Sequence, residues 1–108
     1  MVRERGPSGI YAAGVQVFRF YPDGVVLDVL VKPAPGPAEG RLVETWLRRD
    51  PLLGGVHLAR YELSGGVVTF TARGHLRDEA VEVRGRWSGG RLVLDGWAGV
   101  AFQRIWPD

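Results

Sequence analysis

Arg104 stands in the stretch "AFQRIW", two residues after Phe102 and two before Trp106, with Val100 continuing the alternation. Successive side chains of a strand point to opposite faces, so this spacing predicts a guanidinium on the same side as three apolar residues. A guanidinium held there needs partners. Its forked donors suit a carboxylate, and its charge suits an aromatic ring. Two chemistries follow. Arg104 grips the acidic head of a ligand, or it stacks on Tyr11 or Trp106 and closes the interior. Phe18, Phe20, Tyr61, Phe70 and Trp87 fall on the apolar faces of their own segments. They line a pocket for an apolar ligand or fill the space where one would sit. Trp46 joins them as a ring predicted to pack over one mouth of the interior.

The remaining reactive groups are few. His57 precedes a strand, and His75 lies near Asp78 and Glu79. Two unlinked histidines make a poor metal site, and without cysteine there is no thiolate site. Glu44, His57 and Tyr61 could move protons, yet nothing in their spacing brings them together. Ser64 and Ser88 precede Gly-Gly pairs, where turns favour serine. No nucleophile elbow, phosphate loop, zinc-protease helix or dinucleotide fingerprint occurs. No catalytic residue, metal site or cofactor is predicted, and an enzyme ranks last among the readings. "RGRWSGGR" mixes arginine, glycine and an aromatic, as RNA-contacting segments do. Its arginines also fit the outer face of a strand, with Glu82 and Asp95 offsetting their charge.

The elements that must position these groups are hairpins. With Gly65-Gly66 as a two-residue loop, Tyr61 faces Phe70 and Leu63 faces Val68, while Glu62 faces Thr69 on the other side. With Gly89-Gly90, Trp87 faces Leu92 and Gly85 faces Leu94, glycine leaving room for a neighbouring ring or a small ligand. With Asp23-Gly24, Phe20 faces Leu27, Phe18 faces Val29, and Arg19 faces Asp28 in a cross-strand ion pair. Seven strands are predicted, near 15–21, 25–32, 56–63, 67–73, 79–87, 91–96 and 100–106, with an eighth near Gly9 to Ala13. The prediction is all-β: an antiparallel up-and-down meander of 7–8 strands closing into a small barrel. Between the second and third hairpin strands, "PAEGRLVETWLRRDP" places Leu42, Val43, Trp46 and Leu47 at helical spacing and predicts one short helix near residues 38–49.

The 108 residues amount to one domain, 1–108, with 45% hydrophobic residues and a net charge of +2. That charge is too weak to argue for nucleic acid, and no apolar run reaches the roughly 20 residues of a membrane span. The N-terminal residues read as no secretory signal. The expectation is a soluble, cytoplasmic protein. Lys32 is the only lysine and asparagine is absent, which points to a heat-adapted bacterial source.

"SGIY" and "AFQRIW" together resemble the ends of a small lipocalin-like (calycin) β-barrel. That family opens on Gly-x-Trp, whose ring plugs the closed end, and a basic residue of the last strand crosses the ring. Gly9 and Tyr11 match the motif with tyrosine in place of tryptophan, and Arg104 matches the basic residue. The helix follows the second hairpin strand here, later than in the family. The resemblance implies a binding protein for small apolar or amphipathic ligands, with Arg104 as the anchor for a carboxylate.

Two function classes stand side by side. One is a barrel binding a small apolar ligand among Phe18, Phe20, Trp46, Tyr61, Phe70, Trp87 and Arg104. The other is a structural or protein-interaction barrel with a filled core, able to pair as a homodimer. Neither calls for nucleic acid or membrane.

Overall fold

Turn chemistry sets the strand pairing. Gly65 and Gly66 have φ of 57° and 79°, which is the double positive φ of a type I′ turn and costs glycine little. They join β4 (His57–Ser64) to β5 (Val67–Arg73) with Tyr61 opposite Phe70, Leu63 opposite Val68 and Glu62 opposite Thr69. β6 (Ala80–Ser88) and β7 (Arg91–Leu94) pair with Trp87 opposite Leu92 and Gly85 opposite Leu94. Both registers are those the double glycines predict. The computed structural model describes residues 7–73, 80–88, 90–95 and 101–107. The link "RGHLRDE", with His75, lies outside the described residues beyond Arg73.

The first long hairpin differs from its expectation by one residue. β2 (Gln16–Phe20) and β3 (Val25–Leu30) pair Phe20 with Val26, Arg19 with Leu27 and Phe18 with Asp28. The connection holds three residues. Gly24 N–H donates to the Tyr21 carbonyl at 3.2 Å, and Tyr21 N–H donates to the Val25 carbonyl at 2.8 Å. Gly24 has φ of 94°. This is a type I turn with Pro22 at its first central position, followed by a glycine bulge. The slip turns every side chain of β3 to the other face. Asp28 therefore points into the barrel and does not meet Arg19, while Leu27 and Val29 point out of it.

β1 (Gly9–Ala13) precedes these strands, and β8 (Ala101–Trp106) ends the set. All eight strands pair with their sequence neighbours, and β1 pairs antiparallel with β8 to close the barrel. The barrel meander is thus as predicted. The turns after β2, β4 and β6 share one end, and the links after β1, β3, β5 and β7 share the other.

Two cores result. The lumen holds Tyr11, Phe18, Phe20, Val26, Val68, Phe70, Val83, Leu92, Leu94 and Phe102. The second lies outside the barrel, where Ile10, Ala12, Val17, Leu27, Val29 and Ile105 meet Val43 and Leu47. Those two come from a single-turn 3-10 helix (Pro37–Glu39) running into α1 (Gly40–Trp46). Gly40, Val43 and Leu47 repeat at one helical face and are buried, while Leu42 is 65% exposed. Gly40 backs directly onto the main chain at Ile105, where no Cβ would fit. Trp46 packs against this outer cluster. The helix is therefore a strap on the outer wall of β8 and β1 to β3, not a cover for a mouth, because the slip in the first hairpin leaves an apolar outer wall that must be buried.

Arg19 fastens the strap. Its Nη1 donates to the carbonyls of Glu44 and Leu47 at 3.2 and 2.5 Å, and Nη2 lies 3.7 Å from Glu44 Oε1. The guanidinium also sits 4.9 Å from the centre of the Tyr21 ring. The last carbonyls of a helix have no internal partner, and the C-terminal end of its dipole attracts a cation. Replacing Arg19 with alanine leaves those carbonyls without their donor beneath the strap. Urea unfolding should show a loss of about 2–4 kcal/mol. Arg19→Lys should recover only part, since one ammonium cannot reproduce the fork and the ring contact. A loss within 0.5 kcal/mol for Arg19→Ala would mean the strap is held by its apolar face alone.

Candidate functional site

Six of the seven candidate residues come together in or at the rim of the lumen. Phe18 of β2 touches Phe70 of β5 with ring centres 5.1 Å apart and Phe102 of β8 at 5.3 Å. Phe20 meets Phe70 at 5.7 Å, Tyr61 at 5.2 Å and Tyr11 at 5.7 Å, all near edge-to-face. Rings from strands on different sides of the barrel thus touch across its lumen, in the geometry their quadrupoles favour. Gly85 leaves no gap for a ligand. A methyl placed there would lie 2.5 Å from Leu94 Cδ2 and 3.3 Å from Leu92 Cδ1. Trp46 is the residue that does not join, being on the outer wall.

The hairpin-end rim carries the polar tips of these rings. Trp87 Nε1–H donates to Tyr11 Oη at 2.8 Å, and Tyr61 Oη–H donates to the Tyr21 carbonyl at 2.6 Å. Arg104 pairs in the ladder with lumen-facing Tyr11, so it is on the expected side, but it is exposed and not buried. A bulge explains this. Ile10 opposes Trp106 while Tyr11 opposes Arg104, so Ile105 is an extra residue that turns toward the outer cluster. Arg104 then lies over Gly90, with Nε 3.6 Å from the point where a Cβ on that glycine would stand. The expected shared face of Phe102, Arg104 and Trp106 is broken here, and Val100 lies outside the described residues.

Burial raises the Tyr11 phenol above its usual range, against the lowering effects of the Trp87 hydrogen bond and of Arg104. Burial also raises Tyr61, assisted by the charge of Asp23. Asp23 is lowered, mainly by the Arg49 guanidinium that pairs with it at 2.5 Å.

A second polar group lies on the lumenal wall, toward the other end, and sequence reasoning missed it. Asp28 is buried, with Oδ1 accepting from Gln16 Nε2 at 2.7 Å. It stands opposite Phe18 on one side and His57 on the other. The signal was Pro22-Asp23-Gly24 taken as a three-residue turn, which alone places position 28 inward. His57, opposite Asp28, is lumen-facing and half-buried. Glu44 is on the strap, away from His57 and Tyr61. Among the described residues no group of three or more histidine, aspartate or glutamate side chains could hold a metal ion, and no helix is long and apolar enough to cross a membrane.

Comparison with protein-family models, curated proteins and solved structures finds no match. The calycin-like description therefore extends to the closed eight-stranded barrel and no further.

The phenols supply a pH test. A group whose pKa is raised by folding holds its proton in the folded state after the unfolded chain has lost it, so its contribution is complete below the unfolded value and declines above it. The unfolded value for tyrosine is 10.0. Melting temperature should therefore fall as pH rises beyond about 10, and Tyr11→Phe should flatten that fall. An alkaline profile unchanged by Tyr11→Phe would show that this phenol is not held neutral by the fold.

Proposed function

We propose that the protein is a small binding module that recognises its target on the outside of the barrel, with the lumen serving as its packed core. One observation carries this reading: Phe18, Phe20, Phe70 and Phe102 touch across the lumen, where a fatty-acid-sized ligand needs a cavity of roughly 300 Å³ or more. The strap covers the outer wall of β8 and β1 to β3, so β4 to β7 form the bare side. Arg60, Glu62, Ser64, Arg84, Arg86 and Arg91 are exposed there. A cytoplasmic setting, expected from the composition, accords with that use.

A second reading keeps a small ligand in the lumen. Asp28 and Gln16 favour it, because a buried carboxylate on a largely apolar wall is costly unless it is given partners, and a ligand can supply them. On that reading the ligand bears donors for Asp28 and enters from the end opposite the tight hairpins. The acidic head expected at Arg104 plays no part in it.

The two separate in one titration. Wild type should take up neither an apolar naphthalene dye nor a fatty amine, whose ammonium offers donors to Asp28, at one per chain, and its melting temperature should not move with either. Saturable one-to-one uptake with a rise in melting temperature would overturn the packed-core reading. Phe18→Ala serves as the positive control. It should lose about 3–5 kcal/mol and open an apolar cavity that takes benzene.

A further inference from the structure

Across β4, β5 and β6 the outer wall holds a groove of about 300 Å³ lined by Glu62, Ser64, Val67, Thr69 and Arg84. These side chains alternate with the lumenal set of Leu63, Val68, Phe70 and Val83, so the barrel's own packing holds them outward. The ladder orders them. Glu62 pairs with Thr69, and Thr69 pairs with Arg84. The carboxylate and the guanidinium thus rise from strands two apart, about 9–10 Å between their backbones. Both are exposed, and among the described residues neither enters an ion pair. Thr69 stands between them on β5, and the next row toward the turn holds Ser64, the half-buried Val67 and Arg86.

We infer that this groove binds a small zwitterion whose ammonium and carboxylate are separated by a short apolar spacer. The inference rests on the outer-surface reading above and names the ligand class for it. The ammonium meets Glu62, the carboxylate meets the fork of Arg84, and the methylenes cross the Thr69 methyl with Val67 beside them. A ligand with a single charge satisfies one wall and leaves the other hydrated. Arg60 lies two residues before Glu62, Glu82 two before Arg84 and Arg86 two after it, so the strip carries both signs of charge. The two glutamates among these arginines favour a bipolar ligand over a polyanion, which Glu62 and Glu82 would repel. Exposed ion pairs are individually weak, so affinity should be millimolar.

The probe is 6-aminohexanoate, titrated into the folded chain with backbone amide shifts as the readout. Saturable shifts should gather at residues 62, 64, 67, 69 and 84, and hexanoate and hexylamine should each bind at least about threefold more weakly. Glu62→Arg and Arg84→Glu should each abolish binding. The double variant Glu62→Arg/Arg84→Glu should restore it, because a bipolar ligand can turn end for end. Melting curves check that each variant folds, which the exposed positions favour. Absence of shifts in wild type, or single reversals without effect, would overturn this inference while leaving the packed lumen standing. Shifts centred on Phe18, Phe20 and Phe70 would overturn the outer-surface reading itself.

Discussion

A cation buried against the end of a helix organises the outer half of this protein. Arg19 projects from β2 away from the lumen, into a region otherwise made of aliphatic and aromatic side chains. Isolated there, its charge would be too costly to keep. The carbonyls of Glu44 and Leu47, the Glu44 carboxylate and the Tyr21 ring together surround it. The requirement runs both ways, since the helix end also lacks donors. A seven-residue helix is too short to persist in water by propensity. It exists because Val43 and Leu47 bury their side chains on the wall and Arg19 satisfies its last turn. Arg49 extends the same fastening to the hairpin end, where it pairs with Asp23 and lies 4.4 Å from the Tyr21 ring.

The strap divides the barrel into unlike sides. β1 to β3 are buried on both faces, as in strands enclosed between layers. β4 alternates half-buried and exposed residues along its whole length, as in a strand with one face in water. The asymmetry has a functional reading. The side under the strap is committed to stability, and charged or hydroxyl side chains on the other side can change without disturbing either core.

How much of this was legible depended on local turn chemistry. Gly65-Gly66 and Gly89-Gly90 leave only one sensible loop length, so Tyr61 to Phe70 and Trp87 to Leu92 could be paired from the chain alone. Pro22-Asp23-Gly24 admits two- and three-residue loops, and apolar residues at both Val26 and Leu27 made either register look sound. Charge pairing of Arg19 with Asp28 then favoured the wrong one. The near-continuous apolar run "VVLDVL" was itself the clue to a strand buried on both faces. The strap's position follows from that burial and was lost with it. Arg104 was misjudged for another reason. The extra residue Ile105 is a tertiary accommodation between β1 and β8, and "QRIW" carries no glycine to announce a bulge.

Closure of β1 onto β8 has a consequence for association. A ring of strands has no first or last member, so each main chain gives its ladder donors and acceptors to neighbours on both flanks. An open sheet offers its end strand as a template, and foreign segments or further copies add to it indiscriminately. This barrel withholds that template. Whatever docks on it must do so through side chains, with the discrimination in size and charge that side chains impose, and its many β-branched residues can sit in strands without recruiting more strand.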